Sequence, residues 1–144
     1  MLVKDFFIDG EDNKINQKII EVLSDIYISN AKIEELRGGT SNKLYKIEGI
    51  KKNKNKKLLV RIYGNNELID RKEEIYYLDK IYNKYKNLVP KIYLKFNNGL
   101  IYQYLEGDCL AYSDLPTFNE NIAIKLSEWH KINIVPYNQS YIFR

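Results

Sequence analysis

The sequence predicts an α+β fold in which three helices accompany a five-stranded antiparallel sheet. Three segments repeat apolar residues every three or four positions, which is the spacing of an amphipathic helix. Five shorter segments are rich in β-branched and aromatic residues and are separated by turn-forming residues, as is typical of strands. With 144 residues the chain is close to the usual size of one domain, so we expect a single domain over 1–144.

Each predicted helix has one apolar face. The first spans Lys14 to Ile28, and Asp12 or Asn13 is placed to cap its start. The second follows the third strand and spans 69–85, and the final helix spans 119–132. The apolar positions are Ile15, Ile19, Val22, Leu23 and Ile26 in the first helix, Ile69, Ile75, Leu78 and Ile81 or Tyr82 in the second, and Ile122, Leu126 and Trp129 in the third.

The first three strands are predicted to be consecutive and antiparallel. They span Ala31 to Arg37, Lys43 to Ile50 and Leu58 to Tyr63. The turn formers of 38–42 separate the first two strands, because such a cluster cannot continue a ladder. The lysine and asparagine run 51–57 separates the second from the third, and we expect it to form a solvated hairpin loop.

The last two strands are predicted to form a hairpin. Lys91 to Phe96 and Leu100 to Leu105 flank the turn Asn97-Asn98-Gly99. An asparagine-glycine pair favours a tight hairpin, because such turns need positive φ angles that these residues tolerate. These two strands complete the sheet of five.

Composition excludes several classes of protein. No stretch approaches the roughly 20 apolar residues that span a bilayer, and residues 1–12 lack a secretory pattern, so we expect a cytoplasmic chain without stable membrane insertion. Cys109 and His130 are the single cysteine and histidine, which excludes an intrachain disulfide and a His/Cys metal site; we interpret His130 as structural. The net charge is +4, but the five lysines of 51–57 account for all of it, and the rest of the chain has a net charge of about −1. The chain therefore lacks the general basic surface of a nucleic-acid binder, and we expect no nucleic-acid partner.

Five motifs resemble those of the choline and ethanolamine kinase family, in that family's order. They are "RGGTSNKLYKI" (37–47), "LLVRIYGNN" (58–66), "IDRKEEI" (69–75), "PKIYLKFNNGLIYQYLEG" (90–107) and "LSEWH" (126–130). The wording "VRIYG" and "NNGLIY" is slightly closer to the ethanolamine kinases. The resemblance implies a protein-kinase-like fold, of which this chain would be the N-terminal, nucleotide-binding lobe.

The glycine-rich turn is the first candidate site. Backbone N–H groups in such a turn can converge on a phosphate, and glycine lets the main chain approach without a Cβ clash. An ordinary hairpin turn would use the same residue types. By the resemblance, the turn covers the ATP phosphates, and the matching residues are Gly39, Thr40, Ser41 and Asn42.

Arg61 is the second candidate, because it lies among apolar neighbours in a predicted strand. Alternation puts it on the same face as Leu59 and Tyr63, where its charge needs a partner, although an edge-strand arginine that reaches solvent would also fit. In protein kinases a lysine at this strand position holds the nucleotide's phosphates and pairs with a helix glutamate. The resemblance gives that role to Arg61 and favours Glu74 over Glu73 as its partner, while either acid could belong to a solvated helix face.

The segment that leaves the fifth strand is the third candidate. The resemblance implies that main-chain groups of Gln103, Tyr104 and Leu105 bind adenine. The residues alone would fit equally well a strand that fills the core of the lobe. Glu106 and Gly107 then mark the crossing toward a second lobe.

The motifs that complete phosphoryl transfer are missing from the sequence. Transfer needs an aspartate near the accepting hydroxyl and ligands for magnesium. His130 is followed by Lys131 and Ile132 and not by the expected aspartate, and the one Asp-Phe pair, Asp5-Phe6, precedes the glycine-rich turn. The resemblance implies that the catalytic residues, the magnesium ligands and the pocket for the amino alcohol lie in a C-terminal lobe absent from this chain.

The function that the resemblance implies is ATP binding in a kinase that transfers the γ-phosphoryl group of ATP to the hydroxyl of ethanolamine or choline, in phospholipid head-group synthesis. We expect no turnover by this chain alone, and we assign no catalytic residue or metal ligand within it. Two alternatives stay open: a non-catalytic binding or regulatory module, including a nucleic-acid binder that uses the lysine run, and an aminoglycoside-type phosphotransferase lobe. An exposed docking face would favour self-association, although no sequence feature sets a stoichiometry.

Overall fold

The computed structural model describes residues 1–37, 42–64 and 70–137. In these ranges it contains β1 (Leu2–Val3), α1 (Ile15–Asp25), β2 (Ser29–Leu36), β3 (Asn42–Lys51), β4 (Lys54–Tyr63), α2 (Arg71–Lys84), β5 (Ile92–Phe96), β6 (Gly99–Gln103) and α3 (Leu115–His130). The chain divides into two compact units. The first, Met1–Asp70 with Pro90–Tyr104, contains α1 and the sheet, and the second, Arg71–Val89 with Leu105–Arg144, contains α2 and α3. The single domain that the length suggests stays a prediction.

The strands of the described residues form one mixed sheet in the order β1-β5-β6-β4-β3-β2. Neighbouring strands are antiparallel except β1 and β5, where Leu2 lies opposite Leu94 in a parallel pair. The prediction of five strands, all antiparallel, was therefore wrong by this one strand. Two residues are too few to show alternation, and the partner strand is distant in the sequence, so no local pattern indicates the pair.

The hydrophobic core of the first unit combines α1 with one face of the sheet. In α1 the residues Ile19, Val22 and Leu23 are fully buried, as their spacing predicts. The same cluster contains strand residues that share one face of the sheet, among them Ile47, Leu58, Val60, Leu94 and Ile101. The helix is shorter than predicted: it ends at Asp25, and Tyr27 has a left-handed backbone with φ of 59°.

The hairpin between β3 and β4 corrects the prediction for the run 51–57, which is not a loop. The two strands stay paired as far as Lys51 opposite Lys54, so most of the run is strand. The turn consists of Lys52 and Asn53, with φ of 50° and 59°. Two successive positive φ angles match the twist of a two-residue hairpin. The lysines obscured the strand because lysine and asparagine have low strand propensity.

The predicted hairpin between β5 and β6 is confirmed, since Phe96 lies opposite Gly99. The prediction that this turn uses positive φ angles was wrong: among the described residues, neither Asn97 nor Asn98 has a positive φ. The side-chain amide of Asn98 instead accepts a hydrogen bond from the main-chain N–H of Ile8 at 3.0 Å and donates one to the carbonyl of Ile8 at 2.7 Å. This asparagine therefore ties the N-terminal segment to the turn.

Replacing Asn98 by alanine is expected to lower the free energy of unfolding by about 2 kcal/mol, because two part-buried main-chain groups lose their partner. Urea unfolding followed by circular dichroism measures the loss. Asn97→Ala is the matched control, since the Asn97 amide bonds only the exposed carboxylate of Asp5 through its side chain; it should change stability by less than about 0.5 kcal/mol. Equal losses in the two variants would contradict the role of Asn98.

The second unit contains a segment that follows α3 and runs along α2. The hydroxyl of Tyr76 donates to the carbonyl of Val135 at 3.0 Å, and the amine of Lys84 donates to the carbonyl of Asn133 at 2.9 Å. The rings of Tyr76 and Tyr137 lie 5.3 Å apart. These contacts fix the segment onto α2 although its sequence is irregular.

The helix α3 begins at Leu115, earlier than the predicted start at Asn119. Pro116 falls in its first turn, where the missing N–H leaves no helical hydrogen bond unmade. The apolar face of this helix is largely exposed: Leu126 is 52% and Trp129 41% accessible. Within the described residues, neither α3 nor another helix has the length and apolar character needed to cross a membrane.

Candidate functional site

Arg61 lies near the end of β4, directly between Leu44 of β3 and Leu100 of β6. Its chain neighbours Val60 and Ile62 are buried in the core that contains α1. Because side chains alternate along a strand, Arg61 points to the opposite face of the sheet. We call this surface the Arg61 face.

The Arg61 face includes Leu59 and Tyr63, as alternation predicts, and the side chains of all three residues are half-buried. The guanidinium carbon of Arg61 lies 5.5 Å from the centroid of the Tyr63 ring. At this distance the ring face attracts a cation. Tyr63 therefore stabilises the guanidinium against the sheet.

The four residues predicted to cover phosphates divide at the edge of a described range. Outside the described residues lie Gly39, Thr40 and Ser41. Asn42 begins β3 opposite Tyr63, two residues before Leu44, which lies opposite Arg61. Asn42 is therefore a diagonal neighbour of Arg61 on the same face, and such neighbours have Cα atoms about 7 Å apart. The strand pairing thus brings the end of the glycine-rich segment beside the guanidinium.

Lys46 is a second cation on the Arg61 face, and it was not predicted as a site residue. It lies opposite Leu59 in the β3–β4 pair. Its amine lies 3.0 Å from the carboxylate of Glu48 and 5.2 Å from the centroid of the Tyr104 ring. The hydrogen bond to Glu48 raises the pKa of the Lys46 amine. The alternation of β3 would have indicated this position, because every second residue of that strand points to one face.

The segment Gln103–Leu105 is confirmed as the exit from the last strand of the sheet. The N–H of Gln103 donates to the carbonyl of Lys91 at 2.9 Å, and the N–H of Tyr104 donates to the carbonyl of Lys57 at 3.2 Å. Among the described residues, the N–H of Leu105 has no main-chain partner, and Leu105 is 60% exposed. The main-chain donor available to a ligand in this segment is therefore that of Leu105.

Glu74 lies in the first turn of α2, in the second compact unit. Its carboxylate accepts a hydrogen bond from the guanidinium of Arg71 at 2.9 Å, and its side chain is 23% exposed. Glu73 is exposed, so of the two adjacent acids Glu74 is the better shielded from solvent. Its predicted pairing with Arg61 stays a prediction.

The remaining reactive side chains are exposed. His130 ends α3, and Cys109 lies in the segment before it. Across 1–37, 42–64 and 70–137, the structure has no group of three His, Cys, Asp or Glu side chains that could hold a metal ion. No magnesium ligand set can therefore be assigned to these residues.

Comparison with known proteins shows which family the chain resembles. The family model of choline/ethanolamine kinases matches residues 33–143. The probable ethanolamine kinase A of Dictyostelium discoideum is 36% identical over 111 residues, which are 71% of this chain and 31% of that protein. The probable ethanolamine kinase B of the same organism is 33% identical over 139 residues, 88% of this chain and 30% of that protein.

Solved structures are similar as well. The Plasmodium vivax ethanolamine kinase superposes with a TM-score of 0.72 at 26% identity, covering 91% of this chain and 38% of that one. The choline kinase of Cryptosporidium parvum shares the fold, with a TM-score of 0.65 at 20% identity. The match covers 85% of this chain and 38% of the Cryptosporidium chain. The predicted kinase-like fold is confirmed, and the chain spans about a third of the length of the Dictyostelium relatives. On the match to the family model and to these relatives, this chain belongs to the choline/ethanolamine kinase family.

Proposed function

We propose that this chain is the nucleotide-binding lobe of a kinase that transfers the γ-phosphoryl group of ATP to the hydroxyl of ethanolamine or choline. One observation carries the proposal: Arg61 is the diagonal neighbour of Asn42, the residue that ends the glycine-rich segment, on the same face of the sheet. A half-buried guanidinium beside the first residue of β3, which directly follows two glycines in the sequence and the hydroxyl residues Thr40 and Ser41, is suited to bind a phosphate chain. Membership in a kinase family supports ATP as the source of that phosphate chain.

Each candidate residue then has a chemical role. Arg61 would neutralise charge on the phosphates, since its planar fork can donate two parallel hydrogen bonds to phosphate oxygens. Main-chain N–H groups of 39–42 would donate to the same phosphates. Glu74 would pair with the guanidinium of Arg61.

Adenine would bind at the exit from β6. The donor for a ring nitrogen would be the N–H of Leu105, and main-chain carbonyls of Gln103 and Tyr104 would accept from the amino group. The exposure of Leu105 supports this assignment, because an apolar side chain beside the base can pack on its flat face.

The catalytic aspartate, the magnesium ligands and the pocket for the amino alcohol would lie in a C-terminal lobe. The relatives are about three times as long as the matched part, which leaves room for such a lobe in them. Magnesium would neutralise phosphate charge during transfer. The exposed apolar face of α3 supports the same division, since it would be covered by the second lobe.

Ethanolamine is the first acceptor to test, because the Dictyostelium relatives are named as ethanolamine kinases. We propose that the reaction takes place in the cytoplasm, where ATP and the amino alcohols would both be available.

The proposal predicts that the purified chain binds ATP and does not turn it over. Isothermal titration with ATP measures binding, and a coupled assay of ATP consumption with ethanolamine and with choline measures turnover. Substantial turnover would show that catalytic residues are present in this chain. Failure of the folded chain to bind ATP at millimolar concentration would contradict its assignment as a self-sufficient nucleotide-binding lobe.

A further inference from the structure

The hairpin of β3 and β4 extends beyond the strands on either side of it. β2 pairs with β3 as far as Ile50, and β6 pairs with β4 only from Leu58 onward. The two hairpin strands continue past both neighbours and turn at Lys52 and Asn53. The tip of the hairpin therefore projects from the sheet, at the opposite end of β4 from Arg61.

Five lysines gather at this tip, all in the first compact unit. Lys51 and Lys54 lie opposite each other, and Lys56 has the same parity as Lys54 and the buried residues of β4. These three side chains therefore share the face of the sheet that carries α1. The amines of Lys51 and Lys91 lie 5.9 Å and 5.3 Å from the centroid of the Tyr93 ring, which brings Lys91 to the same place. We call this surface the basic tip; its cations are Lys51, Lys52, Lys54, Lys56 and Lys91.

No carboxylate of the described residues neutralises the basic tip. Across 1–37, 42–64 and 70–137, none of its five amines forms an ion pair. Glu48 of β3 pairs instead with Lys46, on the other face of the sheet, and Asp25 at the end of α1 pairs with Lys4 at 2.7 Å. The positive charge of the basic tip is therefore available to a partner that carries negative charge.

Tyr27 adds an aromatic ring to the lysines. It follows α1 and is 80% exposed. The centroid of its ring lies 6.0 Å from the amine of Lys51. A tyrosine ring has an apolar body and a polar hydroxyl, which suits it to the boundary between water and lipid, at the level of the head groups. The basic tip and Tyr27 thus combine positive charge with an interfacial ring on one surface.

We propose that the basic tip docks this chain on the surface of a bilayer that contains anionic phospholipids. Lysines close to such a surface are attracted by its negative potential, and several of them together give reversible binding. A tip that projects from the sheet can approach a flat surface without a clash from the neighbouring strands. The attachment is electrostatic, and Tyr27 enters only the head-group layer.

The composition and the shape of the basic tip favour a bilayer over a nucleic acid. All five cations are lysines, and the tip has no arginine, whose planar fork is the group best suited to recognise single phosphates and bases. Proteins that bind single strands hold the backbone in a positively charged groove. The basic tip is a projection, and the potential of a bilayer surface attracts lysines without such a groove.

The docking surface is separate from the candidate nucleotide site. Lys54 is seven residues from Arg61 in β4, which is about 23 Å along an extended strand. The two side chains also have opposite parity, so they lie on opposite faces of the sheet. Within the first unit, contact with a bilayer would therefore leave the Arg61 face open.

Sedimentation of the full chain with lipid vesicles tests the proposal. One set of vesicles contains phosphatidylcholine alone, and the other is an equimolar mixture of phosphatidylcholine and phosphatidylserine. The chain should bind the mixed vesicles at low salt and leave them at high salt, because salt screens the attraction. Absence of binding to the mixed vesicles, or equal binding to both sets, would overturn the proposal.

Lys54→Glu tests the basic tip itself. Each lysine near an anionic surface contributes about fivefold to binding, so a change of two charges should weaken it roughly twentyfold. Lys91→Glu makes the same change outside the hairpin and should weaken binding to a similar extent. Circular dichroism shows that each variant is folded. Two folded variants that bind the mixed vesicles as the wild type does would contradict the assignment of the surface.

Lys14→Glu is the matched control. It makes the same change of charge at an exposed residue just before α1, about 16 Å along the helix from the end that leads to Tyr27. It should bind the mixed vesicles as the wild type does, and a loss equal to that of Lys54→Glu would show that net charge alone decides the binding. A single-stranded RNA provides the second comparison. RNA binding that is tighter than vesicle binding at the same salt, and that Lys54→Glu abolishes, would replace the bilayer by a nucleic acid as the partner.

Discussion

Replacing Arg61 by alanine is expected to weaken the binding of ATP by the chain roughly ten- to a hundredfold. A hydrogen bond to a charged group contributes about 1.5–3 kcal/mol, and Arg61 can donate two such bonds to one phosphate. The side chain lies on the Arg61 face, outside the core, so its loss should leave the fold intact. Isothermal titration with ATP measures the change in affinity.

Two variants separate the effects of the charge and of the guanidinium shape of Arg61 from the general effect of losing a cation from β4. Arg61→Lys keeps the charge without the planar fork and should recover part of the affinity. Lys56→Ala removes a cation from the same strand at a position of opposite parity, near the other end of β4, and should bind ATP as the wild type does. Equal binding by Arg61→Ala and the wild type would reject the role of Arg61.

In a complete enzyme of the family, Arg61→Ala should also reduce the catalytic rate on the order of a hundredfold, as removal of one charge-stabilising donor does in other enzymes.

Ligands that differ in their number of phosphates show which part of the nucleotide Arg61 contacts. Weakened binding of ATP with unchanged binding of adenosine would place Arg61 at the phosphates. Equal weakening of both would place it at the base and contradict the proposed orientation of the nucleotide.

Patterns of local spacing predicted the parts of the fold that follow from local physics. The buried residues Ile19, Val22 and Leu23 of α1 recur at helical spacing, and alternation alone placed Arg61 on the face away from the core. Each of these predictions depends only on the periodicity of one element. The sheet and the helices could therefore be recognised before their packing was known.

Features that join distant segments could not be predicted in this way. The pairing of β1 with β5 depends on two residues at the start of the chain, and the role of Asn98 depends on the main chain of Ile8. Neither partner has a local pattern that indicates the other. The prediction of a loop over 51–57 was wrong for a different reason. The lysine and asparagine side chains of this run are typical of a long loop, while the positive φ angles of Lys52 and Asn53 make a tight turn.

The candidate site could be predicted only in part. Alternation supplied the position of Arg61, and the family resemblance supplied the roles of Asn42 and Glu74. Lys46 was not predicted as a site residue, although the alternation of β3 places it on the Arg61 face. Its approach to Tyr104 depends on the order of strands in the sheet, which periodicity does not give.

Replacing Gly99 by alanine is expected to lower the free energy of unfolding by about 3 kcal/mol, at the upper end of the usual effect of overpacking. A Cβ at this position would overlap the main-chain oxygen of Arg61 and the ring of Phe96. Neither group can give way, because the Arg61 oxygen belongs to the paired strand β4 and Phe96 is 1% exposed in the core. Thermal and urea unfolding of the purified variant measure the loss.

Gly10→Ala is the matched control for this prediction. A Cβ there would meet only the side chain of Lys43, at 3.3 Å, and that flexible chain can move aside. The control should therefore change stability by less than about 0.5 kcal/mol. The overlap at Gly99 also carries a prediction for the site: strands β4 and β6 must separate to relieve it, and this shifts the backbone that positions Arg61. Folded Gly99→Ala should bind ATP more weakly than the wild type, and full stability in this variant would show that the close approach of the two strands is not what requires glycine.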